Sequence, residues 1–290
     1  MRKASILAED LYFGEGPRWH SGRLWFSDFY ERAVKSVDRD GAVRTELEIE
    51  DQPSGLGWLP DGRLLVVAMK GMQLLRVDPD GIKVHADLAG VADYHTNDMV
   101  VDRQGRAYVG NFGFHLDEAL KTRGVEGVLA DHPGAKLARV DPDGSVHVAA
   151  TGLHYPNGCV ITPDGRTIIL AETLAMCLTA FDIGADGGLS NRRCRAPAGK
   201  RAPDGTCLDA DGHVWVANAL APECVLFAQG GEIVATVQTS QPCFACMLGG
   251  EDRRRLYMMT APSSVAEIVS ASPQGRIECV EVATPGAGLP

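Results

Sequence analysis

The chain has 290 residues, 45% of them hydrophobic, with a formal net charge of -10 and a pI near 5.3. Its Lys and Arg residues are scattered and form no basic stripe, which argues against a nucleic-acid partner, and no stretch approaches the roughly 20 apolar residues of a membrane span. The opening MRKASILAED carries an apolar run too short and too soon interrupted by acids for a signal peptide, so a cytoplasmic protein acting on a small molecule is expected, with its oligomeric state open.

Taken from the N-terminus, one unit recurs. A turn with Gly and often Asp leads into a short apolar run at SGRLWFSD from 21, PDGRLLVVAM from 60, RQGRAYVGNF from 103, PDGRTIILAE from 163, ADGHVWVANA from 210 and DRRRLYMMTA from 252. The turn positions lie about 40 to 47 residues apart, except for one gap near 60. That spacing is close to the ~40–50 residues of a four-stranded propeller blade. Each copy follows a short apolar strand and precedes a second hairpin, as in KSVDRDGAVRT, LRVDPDGIKVHA and ARVDPDGSVHVAA. The inner runs are apolar at successive positions, as strands buried on both faces are, and the fourth strands alternate. The predicted fold is therefore all-β: a single six-bladed propeller over 1–290, four antiparallel strands per blade. In the last unit EIVSASPQGRIECVEV is read as the third and fourth strands, the fourth at 276–282. Residues 3–9 stand where a fourth strand would precede the first unit, and they either replace or supplement that strand in the sixth blade. The third unit carries extra residues, a lid-like insertion at about 112–136, with a turn or two of helix expected over 117–123. The eight cysteines sit in apolar strand-like segments, as free buried thiols do. Cys243 and Cys246 form a CxxC without the second pair or spaced histidines of a zinc site.

The first strand of each blade lines the central channel, so one fixed offset before each turn points to one place. Counting back about eight residues from each turn glycine reaches Glu15, Ser54, Asn97, Asn157 and Asp204, and in the sixth unit the count lands near Phe244. GEGP, YPNG and APDG also read as simple bends. Turn chemistry explains the residue types but not a shared direction in independent repeats. Converging carboxylate and amide oxygens suit a hard divalent cation, Ca²⁺ first, with Zn²⁺, Mg²⁺ and Mn²⁺ as alternatives.

The GEGP near the start, TND at 96, YPNG at 155, APDGTCLDADGHVWVA at 202 and QPCFACMLGGEDRRRLYMMTA from 241 resemble the regucalcin/gluconolactonase family over nearly the whole chain. The resemblance implies a six-bladed propeller whose metal ligands map to Glu15, Asn157 and Asp204, with Asn97 beside the metal or touching substrate. One departure is His95, standing where sugar-lactone members resembling regucalcin carry an Arg. This argues against a sugar-hydroxyl clamp. Phe29, Met72, Phe112, Phe114, His115, Leu153 and Tyr155 are expected to form a more aromatic wall, and Lys70, Glu172 and Asn218 to face the substrate from the loops after the second strands.

These residues predict a metal-dependent lactonase or esterase-type hydrolase acting on a substrate less polar than a simple sugar lactone. Asp204 is expected as ligand and general base, Asn97 and Asn157 as orienting amides, and His95 and His154 as proton shuttles. Absent GxSxG and phosphate-loop motifs exclude serine hydrolases and nucleotide enzymes. Two alternatives remain at this point: phosphoester or fluorophosphate hydrolysis, or a Lewis-acid rearrangement or cyclisation, on the same metal; and a calcium- or ligand-binding propeller without catalysis.

Overall fold

A computed structural model describes residues 2–290. They form a six-bladed β-propeller with four antiparallel strands in each blade. The inner strands of blades one to six are Gly14–His20, Pro53–Trp58, Thr96–Val101, Pro156–Ile161, Pro203–Leu208 and Cys243–Gly249. Each packs against the next, and the sixth packs back on the first, so the circle closes. The second strands, such as Leu64–Ala68 (LLVVA), are buried along their whole length, whereas outer strands such as Val43–Glu48 are mostly exposed. The core lies between blades rather than within one. Leu65, Val67, Met99 and Val101 interlock blades two and three, and Val160, Ile169, Val214 and Val216 do so for four and five. Each such side chain contributes about 1.5–3 kcal/mol on burial.

The sixth blade differs from the sequence expectation. Its third strand is Gly275–Glu281, and the fourth is the N-terminal strand Ser5–Leu11, paired antiparallel with it. The N-terminal segment thus replaces the expected fourth strand. The EIV at 267–269 is not a strand, since Ala266–Val269 is a short helix in the loop after the second strand, Arg255–Thr260. Ahead of this, Arg2–Lys3 adds in parallel to the outer strand of blade five, Ile233–Gln238. At the other terminus the chain crosses the end of the channel where the inner strands finish. The Ala287 N–H donates to the Leu208 carbonyl (2.9 Å), and Leu289 and Ile161 exchange backbone hydrogen bonds (2.9 and 2.7 Å).

Two blades carry long loops between second and third strands, and they are opposite one another in the ring. Blade three inserts a helix, α1 (Leu116–Ala130), longer than the expected 117–123 and broken at Gly124 (φ 68°). Blade six inserts α2 (Ala266–Val269). No helix among the described residues is long and apolar enough to cross a membrane.

Candidate metal centre

The geometry of the site begins with strand register. In every blade the first residue of the inner strand pairs with the last residue of the second strand: Gly14 with Asp28, Pro53 with Ala68, Thr96 with Asn111, Pro156 with Glu172, Pro203 with Asn218 and Cys243 with Thr260. The pairing then slips by a bulge in all six blades, at or just after the next residue. That next residue is Glu15, Ser54, Asn97, Asn157, Asp204 or Phe244. A bulge re-aims a side chain and breaks the ladder locally, and here it does so at one level of the channel in all six blades.

In five of the blades a small residue follows the ring position, Gly16, Gly55, Gly158, Gly205 or Ala245, because inner strands converge there. A Cβ on Gly158 would stand 2.5 Å from the Thr206 nitrogen and 2.6 Å from the Gly205 Cα, and one on Gly205 would stand 2.6 Å from the Ala245 Cα. The PNG and PDG sequences are therefore packing requirements as well as bends.

The ring side chains are buried yet linked. Ser54 Oγ donates to Asn97 Oδ1 (3.1 Å), Asn97 Nδ2 donates to Asn157 Oδ1 (3.0 Å), and Asn157 Nδ2 reaches Thr173 Oγ1 (3.4 Å). Glu15 Oε2 accepts only from the Gly16 N–H (3.1 Å), and Asp204 Oδ1 is buried with no hydrogen-bond partner. Burial, then Asp204, then Asp98 push the Glu15 carboxyl well above its ordinary range. Burial followed by Asp98 does the same to Asp204. Two buried carboxyls with an orphaned oxygen are costly as anions unless a cation joins them. The donor set is all oxygen at this level, without His or Cys, and it fits a hard divalent cation.

Sequence reasoning missed the group beneath the ring. Arg18 reaches from blade one across blade two, where Nε donates to the Leu56 carbonyl (2.9 Å), to blade three, where Nη2 pairs with Asp98 Oδ1 (2.6 Å). Both side chains are buried, and the pair fixes three inner strands around one guanidinium. The signal was an Arg and an Asp inside otherwise apolar inner strands.

Several expected substrate contacts are placed elsewhere. Glu172 is buried, its carboxylate committed to the His154 N–H (2.7 Å), Thr179 and Arg192 (3.0 and 3.1 Å). Asn218 accepts from the N–H groups of Ala202 and Leu220 (both 3.2 Å) and donates to Glu223 (2.8 Å). Both brace the loops entering their blades: the Glu172 carboxylate is fully engaged, while Asn218 keeps a single amide N–H beyond these bonds. Met72 packs against the core between blades two and three, and Leu153 is fully buried between three and four. Met69, three residues from Met72, lines the mouth instead. Lys70 is exposed on the rim.

The remaining aromatic residues gather over the channel. Phe112 stacks on Tyr155 (4.6 Å, 5°), and Phe114 meets the same ring edge-on (6.2 Å). Tyr155 takes a left-handed backbone (φ 61°), and burial, followed by the charges of Asp204 and Asp117, holds its phenol well above the usual range. His95 stacks on Tyr94 (4.1 Å), which also lies near His115 (5.3 Å), the cap of α1. Burial and then Lys70 depress the His95 imidazole. His154 faces His132, an insertion residue not singled out from sequence, with Nδ1 and Nε2 2.9 Å apart; His132 Nδ1 lies 2.8 Å from the Val128 carbonyl. The carbonyl only accepts, so His132 Nδ1–H donates to it, and in that tautomer His132 Nε2 accepts from His154 Nδ1–H. The two insertions meet above the ring, where Lys121 of α1 pairs with Glu267 of α2 (3.7 Å).

Residues 13–262 match the family described as the SMP-30/Gluconolactonase/LRE-like region. The pentonolactonase of Haloferax volcanii is 27% identical over 90% of this chain and 86% of its own length. Zebrafish (Danio rerio) regucalcin is 29% identical over 93% and 90%. Among solved structures, the calcium-binding protein regucalcin from Agrobacterium tumefaciens superposes with a TM-score of 0.79 at 20% identity, covering 100% of this chain and 97% of its own. A gluconolactonase from Xanthomonas campestris gives 0.73 at 24%, covering 98% and 89%.

Proposed function

We propose, for a chain that belongs to the SMP-30/gluconolactonase/LRE-like family, that it hydrolyses a lactone with the help of one divalent cation, Ca²⁺ first, held by Glu15, Asn157 and Asp204 with Asn97 alongside. The observation that carries the reading is the buried Glu15–Asp204 carboxyl pair with its orphaned oxygen, inside a ring of amide and hydroxyl oxygens. Relatives bearing lactonase names supply the reaction class, and the likeness to the calcium-binding protein regucalcin of Agrobacterium tumefaciens supports the metal.

When bound, such a cation polarises a carbonyl oxygen and lowers the pKa of a coordinated water. The chain's own residues supply the rest. Asp204, whose Oδ1 has no hydrogen-bond partner among the described residues, would hold the cation through one carboxylate oxygen and takes the proton of the attacking water on the other. The Asn97 amide is held from both sides, its oxygen by Ser54 and one N–H by Asn157. Its second N–H is left to donate to the oxygen on which negative charge develops. Phe112 and Tyr155 keep water from the reacting carbonyl. The proton taken by Asp204 then passes to the leaving alkoxide, relayed by His95 at the rim, which accepts it on one ring nitrogen and donates from the other, because His154 is engaged with His132. With His95 in place of a guanidinium and aromatic rings over the ring of oxygens, the substrate has fewer hydroxyls than a sugar lactone.

The test is turnover of a lactone panel by the purified protein before and after chelation. Activity lost with chelator and restored by Ca²⁺ supports the reading. Metal binding without turnover of any lactone would move the protein to the calcium-binding alternative, and turnover of phosphotriesters alone would move it to phosphoester chemistry.

A further inference from the structure

The sixth ring position holds a ring of a different kind. Phe244 occupies the place in its blade that Glu15, Ser54, Asn97, Asn157 and Asp204 hold in theirs, after the same paired residue and at the same bulge. It offers a cation no lone pair. Instead its ring lies tilted against Phe13 (4.9 Å, 53°), which lies 5.3 Å from Phe29. Phe13, Phe29, Met69, Phe244, Ala261 and Val269 form one buried cluster, with Phe112 of the blade-three insertion packed on it. The mouth therefore has two parts. Oxygen donors line the ring from blades one to five, and an apolar wall contributed by blades six, one and two flanks it on one side.

The wall is covered by residues of the two insertions, Val269 from blade six and Phe112 from blade three. A ligand reaching the ring parts these contacts and uncovers the faces of Phe13 and Phe244. Uncovered apolar surface is unfavourable in proportion to its area. A ligand restores the loss only by presenting apolar surface of its own; a hydroxylated ring would bury its hydroxyls unpaired there. The hinge contact between the insertions is weak, since Lys121 and Glu267 are 64% and 70% exposed, and exposed pairs add little.

We propose that the substrate is a lactone bearing an alkyl or aryl substituent, seated against Phe13, Phe29 and Phe244 while its carbonyl faces Asn97, Asn157 and Asp204, and that Phe244 sets this specificity. The assignment rests on the lactonase reading above. Its consequence is a chain-length dependence, because each methylene laid on the wall leaves water.

The experiment uses γ-lactams carrying 5-alkyl chains from methyl to pentyl, which bind like the lactones but resist hydrolysis, titrated calorimetrically into the full chain with Ca²⁺ present. Affinity is expected to rise about fourfold per methylene, Phe244→Asn to flatten the series, and Phe244→Leu to keep most of it. A flat series in the wild-type protein, or tighter binding of a polyhydroxylated lactam, overturns the proposal, and this arm needs no variant to fold. The matching 5-alkyl γ-lactones are assayed in parallel. Rising lactam affinity with no lactone turnover leaves the apolar subsite standing and removes the lactonase reading. Turnover that is indifferent to chain length does the reverse.

Discussion

Glu15 and Asp204 are buried within reach of each other's charge, and protons and cations compete for the space between them. In the metal-free protein both carboxyls are pushed well above their ordinary range, first by burial and then by neighbouring carboxylates. Below the ordinary carboxylate range the folded and unfolded chains both hold these protons. As pH rises through that range the unfolded chain releases them and the folded chain keeps them, so stability falls with rising pH until the folded pair ionises. A bound cation removes this loss. The stabilisation gained on adding Ca²⁺ to chelated protein, read as a rise in melting temperature, is therefore expected to be larger near pH 7 than near pH 4.5 at the same Ca²⁺ concentration, and it amounts to about 2.7 kcal/mol where Ca²⁺ is a hundredfold above Kd. Equal increments at both pH values in thermal melts would mean the pair does not hold the ion. Substitution separates the roles within the ring. Asp204→Asn keeps one carbonyl oxygen but cannot take a proton, so turnover falls roughly 10²-fold even at saturating metal. Asn157→Ala mainly weakens metal binding, and added Ca²⁺ recovers part of the activity. These residues stood out in the sequence because one offset recurs in independent repeats. The Arg18–Asp98 pair did not, since its partners are backbone carbonyls of other blades. The commitments of Glu172 and Asn218, to groups within their own blades, were hidden because a shared offset does not tell which partners saturate a side chain.

At the scale of the strand, the bulge and the small residue after it decide where the ring points. Repeat comparison found the ring without the bulge, because a count along the chain is blind to which pair of residues the ladder skips. The same comparison misread the last residue of the second strand. Asp28, Asn111, Glu172 and Asn218 share that position, and each accepts loop N–H groups: Asp28 from Tyr12 and Phe13 (3.1 and 3.2 Å), Asn111 from Gly113 (2.9 Å). A polar residue recurring at one offset can be a brace as readily as a ligand. What separates them is whether backbone N–H groups saturate it, and that depends on contacts distant in sequence. Gly158 tests the packing argument. In Gly158→Ala the new Cβ meets backbone of blade five, including the Asp204 carbonyl at 2.7 Å, so the strand has to shift. The variant is expected to lose about 1–3 kcal/mol and to bind Ca²⁺ more weakly, since Asp204 moves with its strand. Calorimetric melting and metal titration of the same preparation check both, and an unchanged melt would show that the inner strands separate at no cost.

For the whole molecule, the problem a propeller must solve is closure, and this chain solves it with its first strand. Ser5–Leu11 pairs with Gly275–Glu281, joining residues 274 apart in sequence at Ser5 and Cys279. Arg2–Lys3 continues to blade five, where the Ala4 N–H donates to the Gln238 carbonyl (3.0 Å). From sequence this segment and 276–282 were equal candidates for one place, because each is a short alternating run; the order of pairing is a three-dimensional fact that local pattern does not hold. Removing residues 2–11 leaves the backbone of Gly275–Glu281 as an open edge, and open edges recruit other strands. The truncated chain also loses Ala8 and Leu11 from the cluster that joins blades five, six and one. It is expected to associate or aggregate, and to unfold in urea with a lower midpoint and a broadened transition, as the ring opens before its blades melt. Supplying the strand as a separate peptide should restore a monodisperse species. Glu15 lies only a few residues beyond the cut, so the same truncation should weaken Ca²⁺ binding, and the peptide should recover it. Chromatography with light scattering, alongside metal titration, reads both outcomes. A truncated protein that stays monodisperse and binds Ca²⁺ with full affinity would show that the ring is held by its blade-to-blade cores alone.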